Sequence, residues 1–521
     1  MNVAIWLQRT AQIYPERPAL YSGDRLTATY SALAEQTRRL AGGLADKLNL
    51  QPGDRIAIYM PNSPDYLTLL YAVWHAGGAV VPINYKLHPK EAAFIVANSG
   101  ARAVFVASAA TARDLQAALD GNADGLELIE LDGGRFRDLQ AAQPLPEPAA
   151  RARVDLAWLF YTSGTTGQPK GVMITHGNIH AMSFSYFVDV DEVRPDDVAL
   201  YAAPMSHGAG LYNFMHVLRG AAHSVPESGG FDPAEILSLG RSLKSVHMFA
   251  APTMVRRLVD RAKAEGSDGE GIRTIVYGGG PMYVADIEDA VAAMGPRFVQ
   301  IYGQGECPMT ITALPREMVA DRTHPRWRER LGSVGFAQSC VEVRILKEDG
   351  SSCAVGEDGE IAVHGAAVMA GYWRNGEATE KSLRDGWLWT GDVGRMDADG
   401  FVTLTDRSKD VIISGGTNIY PREVEEVLLQ LEEVAEVSVI GSPDEEWGEV
   451  IVAFVVPRDG AKVTQADLDA HCLANMARFK RPKSYFFIDA LPKNAYGKVL
   501  KTDLRQRLAE TPSARCSRPA L

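Results

Sequence analysis

The sequence has few cysteines, and they are not grouped. Five cysteines occur in 521 residues, at Cys307, Cys340, Cys353, Cys472 and Cys516. Because zinc sites need Cys-x-x-Cys pairs or Cys/His clusters, this scatter gives no indication of a zinc centre. Scattered thiols are typical of a reducing compartment, so we expect a cytoplasmic protein.

Long apolar runs are absent as well. No stretch of eighteen or more apolar residues occurs, and the opening segment MNVAIWLQRT has no basic region followed by an apolar run. These features predict neither an integral membrane segment nor a signal peptide. The net charge of −12 argues against a general binder of nucleic acid or anionic membranes. A homo-oligomer remains possible.

Apolar strand-like runs alternate with helix-like runs over most of the chain. They include 54–60, 79–83 and 102–107, with helical patterns between them, and a similar series returns after residue 195. This alternation is typical of βαβ units and of a largely parallel sheet. Two such blocks predict an α/β fold with two stacked α/β subdomains.

The pattern changes twice further along the chain. Short β runs with Gly/Asp turns over 332–402 predict a small β-rich subdomain. After 405–410, a helix that begins near Pro421 and several strands predict a compact α+β domain. We therefore divide the chain into a large N-terminal domain, 1–406, and a small C-terminal domain, 407–521.

The stretch TSGTTGQPKG stands between two strand-like runs. Its hydroxyl side chains, glycines and backbone N–H groups are suited to a polyanion such as a phosphate chain. It is not a Walker A loop, because lysine does not directly follow the second glycine. An ordinary Gly/Thr hairpin turn is the alternative. The candidate phosphate ligands are Thr162, Ser163, Gly164, Thr165, Thr166, Gly167 and Lys170.

Three further glycine-containing stretches carry candidate site residues. In IYGQGE, Tyr302 could stack on a purine and Glu306 could bind Mg2+, although a tight turn with a solvated glutamate is the alternative. The glycines of YGGGP (277–281) permit close approach to a flat ligand. WTGDVG places Asp392 in a turn, where it could bind two ribose hydroxyls or only cap the turn.

Together these stretches closely resemble the signatures of the adenylate-forming superfamily, which includes acyl-CoA synthetases, peptide-synthetase adenylation domains and firefly-type luciferases. The resemblance covers nearly the whole chain and implies an AMP-forming carboxylate–CoA ligase that uses ATP, Mg2+ and CoA. It assigns Tyr302 to adenine, Glu306 to Mg2+ and Asp392 to ribose. Further nucleotide contacts are implied at Gly278, Gly279, Gly280, Gly303, Gln304 and Arg407.

One position departs from the family's pattern. The usual motif is Y-G-x-T-E, and this chain has Gly305 in place of the threonine. A hydroxyl near the α-phosphate is therefore missing. Because Tyr302, Gly303 and Glu306 are intact, we interpret the chain as a variant subgroup and not as an inactive enzyme.

The resemblance also implies that the small α+β C-terminal domain is mobile. Its pivot falls at Lys409, and Lys498 is expected over the carboxylate and the α-phosphate during adenylation. Rotation about Lys409 would then withdraw Lys498. The loop of Gly415 and Gly416 would replace it and approach the pantetheine arm of CoA in the second half-reaction.

The residues expected to line the acid pocket indicate which class of carboxylic acid the enzyme uses. In the family, the residue matching His207 lies beside the carboxylate and the CoA tunnel; a structural histidine is the alternative. The segments expected to line the pocket, 200–213, 277–283 and 299–314, contain no Lys or Arg. Because an unpaired buried carboxylate is costly, we predict a neutral-tailed monocarboxylate, aryl or short-to-medium-chain acyl.

Two other functions remain open at this point. An acyl-adenylate ligase that delivers to a separate carrier protein would share the first half-reaction. A non-enzymatic nucleotide-binding protein would have to keep Glu306, Asp392, Arg407 and Lys498 without using them.

Replacing Lys498 with alanine is expected to slow acyl-adenylate formation by about 10²-fold or more, because its cation stabilises the charge that builds on the phosphate oxygens. The measurement is acid-dependent exchange of labelled pyrophosphate into ATP. Lys483→Ala, in the basic stretch 477–483, is the matched control. Wild-type exchange by the Lys498→Ala enzyme would contradict the assignment.

Overall fold

A computed structural model gives the fold. It describes residues 1–121, 125–162, 169–407, 410–414, 417–444, 447–494 and 499–510, and only the backbone of residues 406, 407, 413, 417 and 418. All elements named below lie in this part of the chain. Within it, each helix is too short or too polar to span a lipid bilayer.

The chain packs into two compact units. The first contains residues 1–281, 290–343 and 362–389, and the second contains 282–289, 344–361 and the described residues from 390 onwards. The domain boundary that we place after residue 406 stays a prediction.

The first part of the chain alternates strands and helices as predicted. Its elements are α1 (Ile5–Ile13), β1 (Pro18–Ser22), β2 (Arg25–Thr29), α2 (Tyr30–Lys47), β3 (Arg55–Tyr59), α3 (Pro64–His75), β4 (Ala79–Ile83), α4 (Pro89–Ser99), β5 (Ala103–Val106), α5 (Ala109–Leu119), β6 (Glu127–Glu130), α6 (Gly134–Gln140), β7 (Leu156–Thr162), β8 (Lys170–Thr175) and α7 (His176–Ser185), followed by a π-helical turn at Tyr186–Val190.

Local sequence explains these boundaries. Helix α4, for example, begins with Pro89 in its first turn, is capped by His88 with Glu91, and ends at Gly100 in the left-handed conformation. Strand β4 is buried along its whole length, as expected for a strand covered on both faces. The resulting sheet has the order β6–β5–β3–β4–β7–β8, with β8 antiparallel to β7.

The second α/β block contains β9 (Val198–Leu200), a 3-10 turn (Gly208–Tyr212), α8 (Asn213–Arg219), β10 (Ala222–Val225), α9 (Pro233–Leu243), β11 (Val246–Ala250), α10 (Pro252–Glu265), β12 (Ile272–Tyr277), α11 (Val284–Met294), β13 (Phe298–Gln304), β14 (Cys307–Leu314), α12 (Arg316–Ala320), α13 (Trp327–Gly332) and β15 (Phe336–Ala337). Its sheet has the order β15–β14–β13–β12–β11–β9–β10–β1–β2. The N-terminal hairpin β1–β2 therefore completes a sheet whose other strands begin after residue 195, which the sequence pattern did not indicate.

The remaining elements form two smaller sheets. They are β16 (Val341–Leu346), β17 (Gly359–Gly365), α14 (Gly376–Ser382), β18 (Leu383–Arg384), β19 (Trp387–Met396), β20 (Val402–Arg407), β21 (Ile412–Ser414), β22 (Thr417–Ile419), α15 (Pro421–Leu428), β23 (Val434–Asp444), β24 (Gly448–Pro457), α16 (Gln465–Asn475), a 3-10 turn (Arg478–Lys480), β25 (Ser484–Phe487) and α17 (Lys501–Glu510). One sheet has the order β16–β17–β19–β18, with β20 beside β19, and the other has the order β22–β21–β24–β23, with β25 beside β24.

Candidate active site

Several predicted site residues meet at one edge of the large sheet. Strands β9, β11, β12 and β13 are parallel neighbours, so their carboxyl ends lie at the same edge. His207 follows β9, residues 278–280 follow β12, and Tyr302 lies near the end of β13. In open α/β sheets, ligands bind in the crevice outside the carboxyl ends of the strands.

Strands β7 and β8 flank the candidate phosphate stretch and pair antiparallel, which confirms the two predicted strands on either side of it. The last pair of the ladder places Thr162 opposite Lys170. The Lys170 Nζ atom lies 5.2 Å from the centroid of the Tyr372 ring. The other predicted phosphate ligands, Ser163, Gly164, Thr165, Thr166 and Gly167, lie outside the described residues.

Tyr372 connects this hairpin to the predicted metal ligand. Its hydroxyl donates a hydrogen bond of 2.6 Å to Glu306 Oε1. Burial, and next the negative charge of Glu306, raise the pKa of Tyr372, so the hydroxyl keeps its proton. The structure thereby brings Lys170 and Glu306 into contact with one aromatic ring.

Residues 369–373 hold Tyr372 in position. Their backbone hydrogen-bonds to β8, and the Met369 N–H donates to the carbonyl oxygen of Glu306 at 2.8 Å. Gly371 has φ of +136°, a conformation that residues with a side chain rarely adopt. Sequence reasoning missed Tyr372, although a glycine directly before an aromatic pair is a signal that could have indicated it.

The donor set at Glu306 fits a Mg2+ ion that binds together with ATP. Mg2+ usually takes one or two carboxylates and completes its shell with substrate phosphate oxygens and water. Among the described residues, no group of three or more His, Cys, Asp and Glu side chains is arranged to hold a metal alone. A single carboxylate in the turn between β13 and β14 is therefore the expected protein contribution.

Gly305 lies against strand β7. A Cβ atom built at this position would overlap the methyl group of Thr162 and would lie 3.2 Å from Cδ1 of Phe160. The threonine of the usual Y-G-x-T-E motif would not fit here without displacing Thr162. The glycine and the neighbouring threonine are therefore matched to each other.

His207 stacks on the same phenylalanine. The ring centroids of His207 and Phe160 are 4.8 Å apart, with 23° between the ring planes. Burial lowers the pKa of His207 to about 4, so the imidazole is neutral at pH 7. Phe160 contacts both His207 and the turn at Gly305; sequence reasoning missed it because it looked like an ordinary strand residue.

The three glycines after β12 lie close to other expected pocket segments. A Cβ atom on Gly278 would lie 2.5 Å from the carbonyl oxygen of Ile301, so this approach requires glycine. Gly279 has φ of +79°, and its added Cβ would lie 3.8 Å from Phe249 Cζ. An added Cβ on Gly280 would lie 3.7 Å from Pro252 Cδ.

Phe249 is a second aromatic residue that sequence reasoning missed. It is partly buried near the end of β11 and stacks on Tyr212, with ring centroids 5.6 Å apart and 29° between the planes. Phe249 therefore lies between Gly279 and Tyr212, which belong to two of the segments expected to line the acid pocket.

The turn from β13 to β14 is very tight. Gln304 pairs with Cys307, and a Cβ atom on Gly303 would overlap the backbone nitrogen of Met309. Met309 itself has φ of +51°. Tyr302 is buried in the strand just before this turn. The adenine-binding roles of Tyr302, Gly303 and Gln304 stay predictions.

The sequence prediction of a turn at Asp392 is wrong. Asp392 lies inside strand β19, where it is buried and paired with Arg407 of β20. Gly391 adopts φ of +71°, and the register shifts between Val393 and Gly394. A β-bulge of this kind lets the strand continue through a glycine that resembles a turn residue.

Five further predicted site residues have no described side chain. Only the backbone of Arg407 is described, and it lies opposite Asp392. Lys409, Gly415, Gly416 and Lys498 lie outside the described residues. Their roles stay predictions.

Two family models match the chain. Residues 7–373 match the AMP-binding enzyme family, and residues 423–498 match the AMP-binding enzyme C-terminal domain. Since the first match alone covers more than half of the chain, the protein belongs to the AMP-binding enzyme family.

Individual relatives match this chain over nearly its full length. The chain is 38% identical to a feruloyl-CoA synthase of Amycolatopsis sp, over 96% of this chain and 98% of the relative. It is 33% identical to the fatty acid–[acyl-carrier-protein] ligase ScoC of Streptomyces coeruleorubidus, over 95% of this chain and 94% of ScoC. The crystal structure of ATP-bound MatB from Rhodopseudomonas palustris superimposes with a TM-score of 0.87 at 29% identity, covering 98% of this chain and 99% of MatB.

These comparisons confirm the predicted superfamily and the α/β fold class with a large N-terminal and a small C-terminal domain. They also confirm the enzyme class: the protein is an AMP-forming acid–CoA ligase. ATP, Mg2+ and CoA are the cofactors and co-substrates of this class.

Gly305→Ala is expected to destabilise the protein by about 1–3 kcal/mol, because the new Cβ overlaps the Thr162 methyl in a packed site. Urea unfolding measures the change. Thr162→Ser removes the methyl and keeps the hydroxyl, so Gly305→Ala combined with Thr162→Ser should recover most of the loss. Equal losses in the single and double variants would contradict this pairing.

Proposed function

We propose that this ligase activates a neutral-tailed monocarboxylic acid, either aryl or short-to-medium-chain acyl. The acid attacks the α-phosphate of Mg·ATP, pyrophosphate leaves, and the acyl-adenylate then reacts with the thiol of CoA. Membership of the AMP-binding enzyme family supports the ligase class. The residues at the carboxyl edge of the nine-stranded sheet support the choice of acid.

The observation that carries this proposal is the uncharged, aromatic character of that edge. Phe249 and Tyr212 lie there with His207, whose neutral imidazole stacks on Phe160 of strand β7 in the six-stranded sheet. The segments 200–213, 277–283 and 299–314 contribute no Lys or Arg. A second carboxylate on the acid would therefore lack a partner for its charge.

The residues near Tyr372 supply the charged end of the proposed site. Lys170 lies over its ring and Glu306 accepts its hydrogen bond. We assign Lys170 to the phosphates of ATP, together with the hydroxyl of Thr162, and Glu306 to Mg2+. His207 is assigned to the carboxylate of the acid, because its ring stacks on Phe160, two residues before Thr162 on strand β7 of the phosphate hairpin.

Delivery to a separate carrier protein is the alternative second half-reaction, and the similarity to ScoC favours it as a candidate. We propose free CoA, in line with the feruloyl-CoA synthase, which shares more of its sequence with this chain. A cytoplasmic location stays a prediction from the scattered cysteines, and the oligomeric state stays open.

The experiment that tests the proposal is an acid panel with ATP and CoA. Aryl and C4–C12 monocarboxylates are expected to give pyrophosphate, CoA-dependent AMP release and an acyl-CoA product, while matched dicarboxylates give little. Fastest turnover of a dicarboxylate would refute the neutral-tail assignment. Pyrophosphate release without any effect of CoA would favour the carrier-protein alternative.

His207→Ala should change the acid preference and leave the KM for ATP close to the wild-type value, since the lost ring lies beside Phe160. Pocket changes of this size alter relative kcat/KM between acids by about tenfold. His364→Ala, at an exposed position, is the control. Unchanged relative rates across the panel would contradict the placement of His207 in the acid site.

A further inference from the structure

A buried group of polar rings lies next to Phe249. We call Tyr212, His216 and His247 the hydroxyl–imidazole cluster. The Tyr212 ring stacks on Phe249, its centroid lies 6.2 Å from that of His247, and the His216 and His247 centroids are 4.6 Å apart. The cluster is therefore joined directly to the aromatic edge of the proposed acid site.

Each member of the cluster has a buried polar atom that finds no partner among the described residues. The Tyr212 hydroxyl, His216 Nε2 and His247 Nδ1 make no hydrogen bond within the described part of the chain. Leaving such a group unpaired costs about 1–3 kcal/mol. Because buried polar groups in native proteins are nearly always hydrogen-bonded, three unpaired atoms in adjoining rings indicate a polar occupant.

The hydrogen bonds within the cluster define which of its atoms can donate to an occupant and which can accept from it. His216 Nδ1 lies 2.8 Å from the carbonyl oxygen of Tyr212, so Nδ1 must donate. Burial lowers the pKa of His216, so the ring is neutral and Nε2 carries a lone pair that can only accept. Burial raises the pKa of Tyr212, so its hydroxyl keeps a proton to donate.

The surrounding charges exclude an anionic occupant. Arg273 is paired with Asp197 at 2.6 Å, and Arg316 with Asp191 at 2.8 Å. Asp191 also lies 3.9 Å from His247 Nε2. Since both guanidinium groups already have carboxylate partners and a carboxylate faces the cluster, a neutral group is favoured.

We infer that the hydroxyl–imidazole cluster binds a hydroxyl group at the far end of the carboxylic acid. The hydroxyl would donate to His216 Nε2 and accept from Tyr212. An unsubstituted acid leaves these groups unpaired, and an ether or halogen substituent cannot donate. The inference rests on the proposed function, because it names a subsite of the same acid pocket.

The test compares acids that differ only by this hydroxyl: benzoate with 4-hydroxybenzoate, cinnamate with 4-hydroxycinnamate, and hexanoate with 6-hydroxyhexanoate, with the 4-methoxy analogues alongside. For the pair whose length places the hydroxyl at the hydroxyl–imidazole cluster, kcat/KM of the wild-type enzyme should favour the hydroxy acid over the deoxy acid by about tenfold or more. The methoxy analogue should lose this advantage.

Tyr212→Phe should collapse the ratio of kcat/KM between the hydroxy and deoxy acids. His216→Asn is the second variant, because it keeps a donor near the Tyr212 carbonyl and removes the Nε2 acceptor; either variant that folds should lower the ratio. Tyr30→Phe is the control, since it removes a buried hydroxyl that is bonded to the Ala221 carbonyl at 2.5 Å. It should lower stability without changing the ratio.

The outcomes separate this inference from the proposed function. Acids that are activated with CoA but without any preference for the hydroxyl would overturn the subsite alone, leaving an internal water as the occupant. A wild-type preference that survives in Tyr212→Phe and His216→Asn would also overturn it. Failure to activate any acid of the panel would overturn the proposed function and the subsite with it.

Discussion

The hydrogen bond from Tyr372 to Glu306 is the contact on which the candidate site depends. Strand β8 belongs to the six-stranded sheet, and the turn that carries Glu306 belongs to the nine-stranded sheet. Residues 369–373 pair with β8 and also bond to the Glu306 backbone, so they fix one sheet against the other at this point. A cation on one sheet and a carboxylate on the other can act on one triphosphate only if this spacing is held.

Much of the local fold could be predicted from the sequence. Strand β4 was predicted with its observed limits, because a buried apolar run stands between a glycine pair and a loop. The pairing of Leu20 with His223 could not be predicted, because it joins segments about two hundred residues apart and depends on the tertiary fold. Short-range patterns therefore identified elements, and long-range pairing decided which sheet they joined.

The candidate site was predictable where backbone geometry demands glycine, and less so elsewhere. Gly278, Gly279 and Gly303 stand where a side chain would collide or strain the chain, and such positions leave a visible sequence pattern. Phe160 and Phe249 leave none, because an aromatic residue in a strand has the same composition signal whether it faces a core or a ligand. Asp392 misled the prediction for a related reason: strand β19, with a register shift just after Val393, continues through glycines that resemble turn residues.

The two ends of the site differ in charge for a physical reason. At the proposed phosphate end, Lys170 and Glu306 are partly exposed, so solvent and a bound triphosphate with its metal could compensate charge there. At the proposed acid end, burial removes that compensation, and His207, His216 and His247 are held neutral by the cost of desolvation. Such a pocket can select an acid only by shape and by neutral hydrogen bonds. The unpaired polar atoms can then discriminate between acids. An acid that forms no hydrogen bond with them leaves these atoms buried and unpaired in the complex, which costs binding free energy.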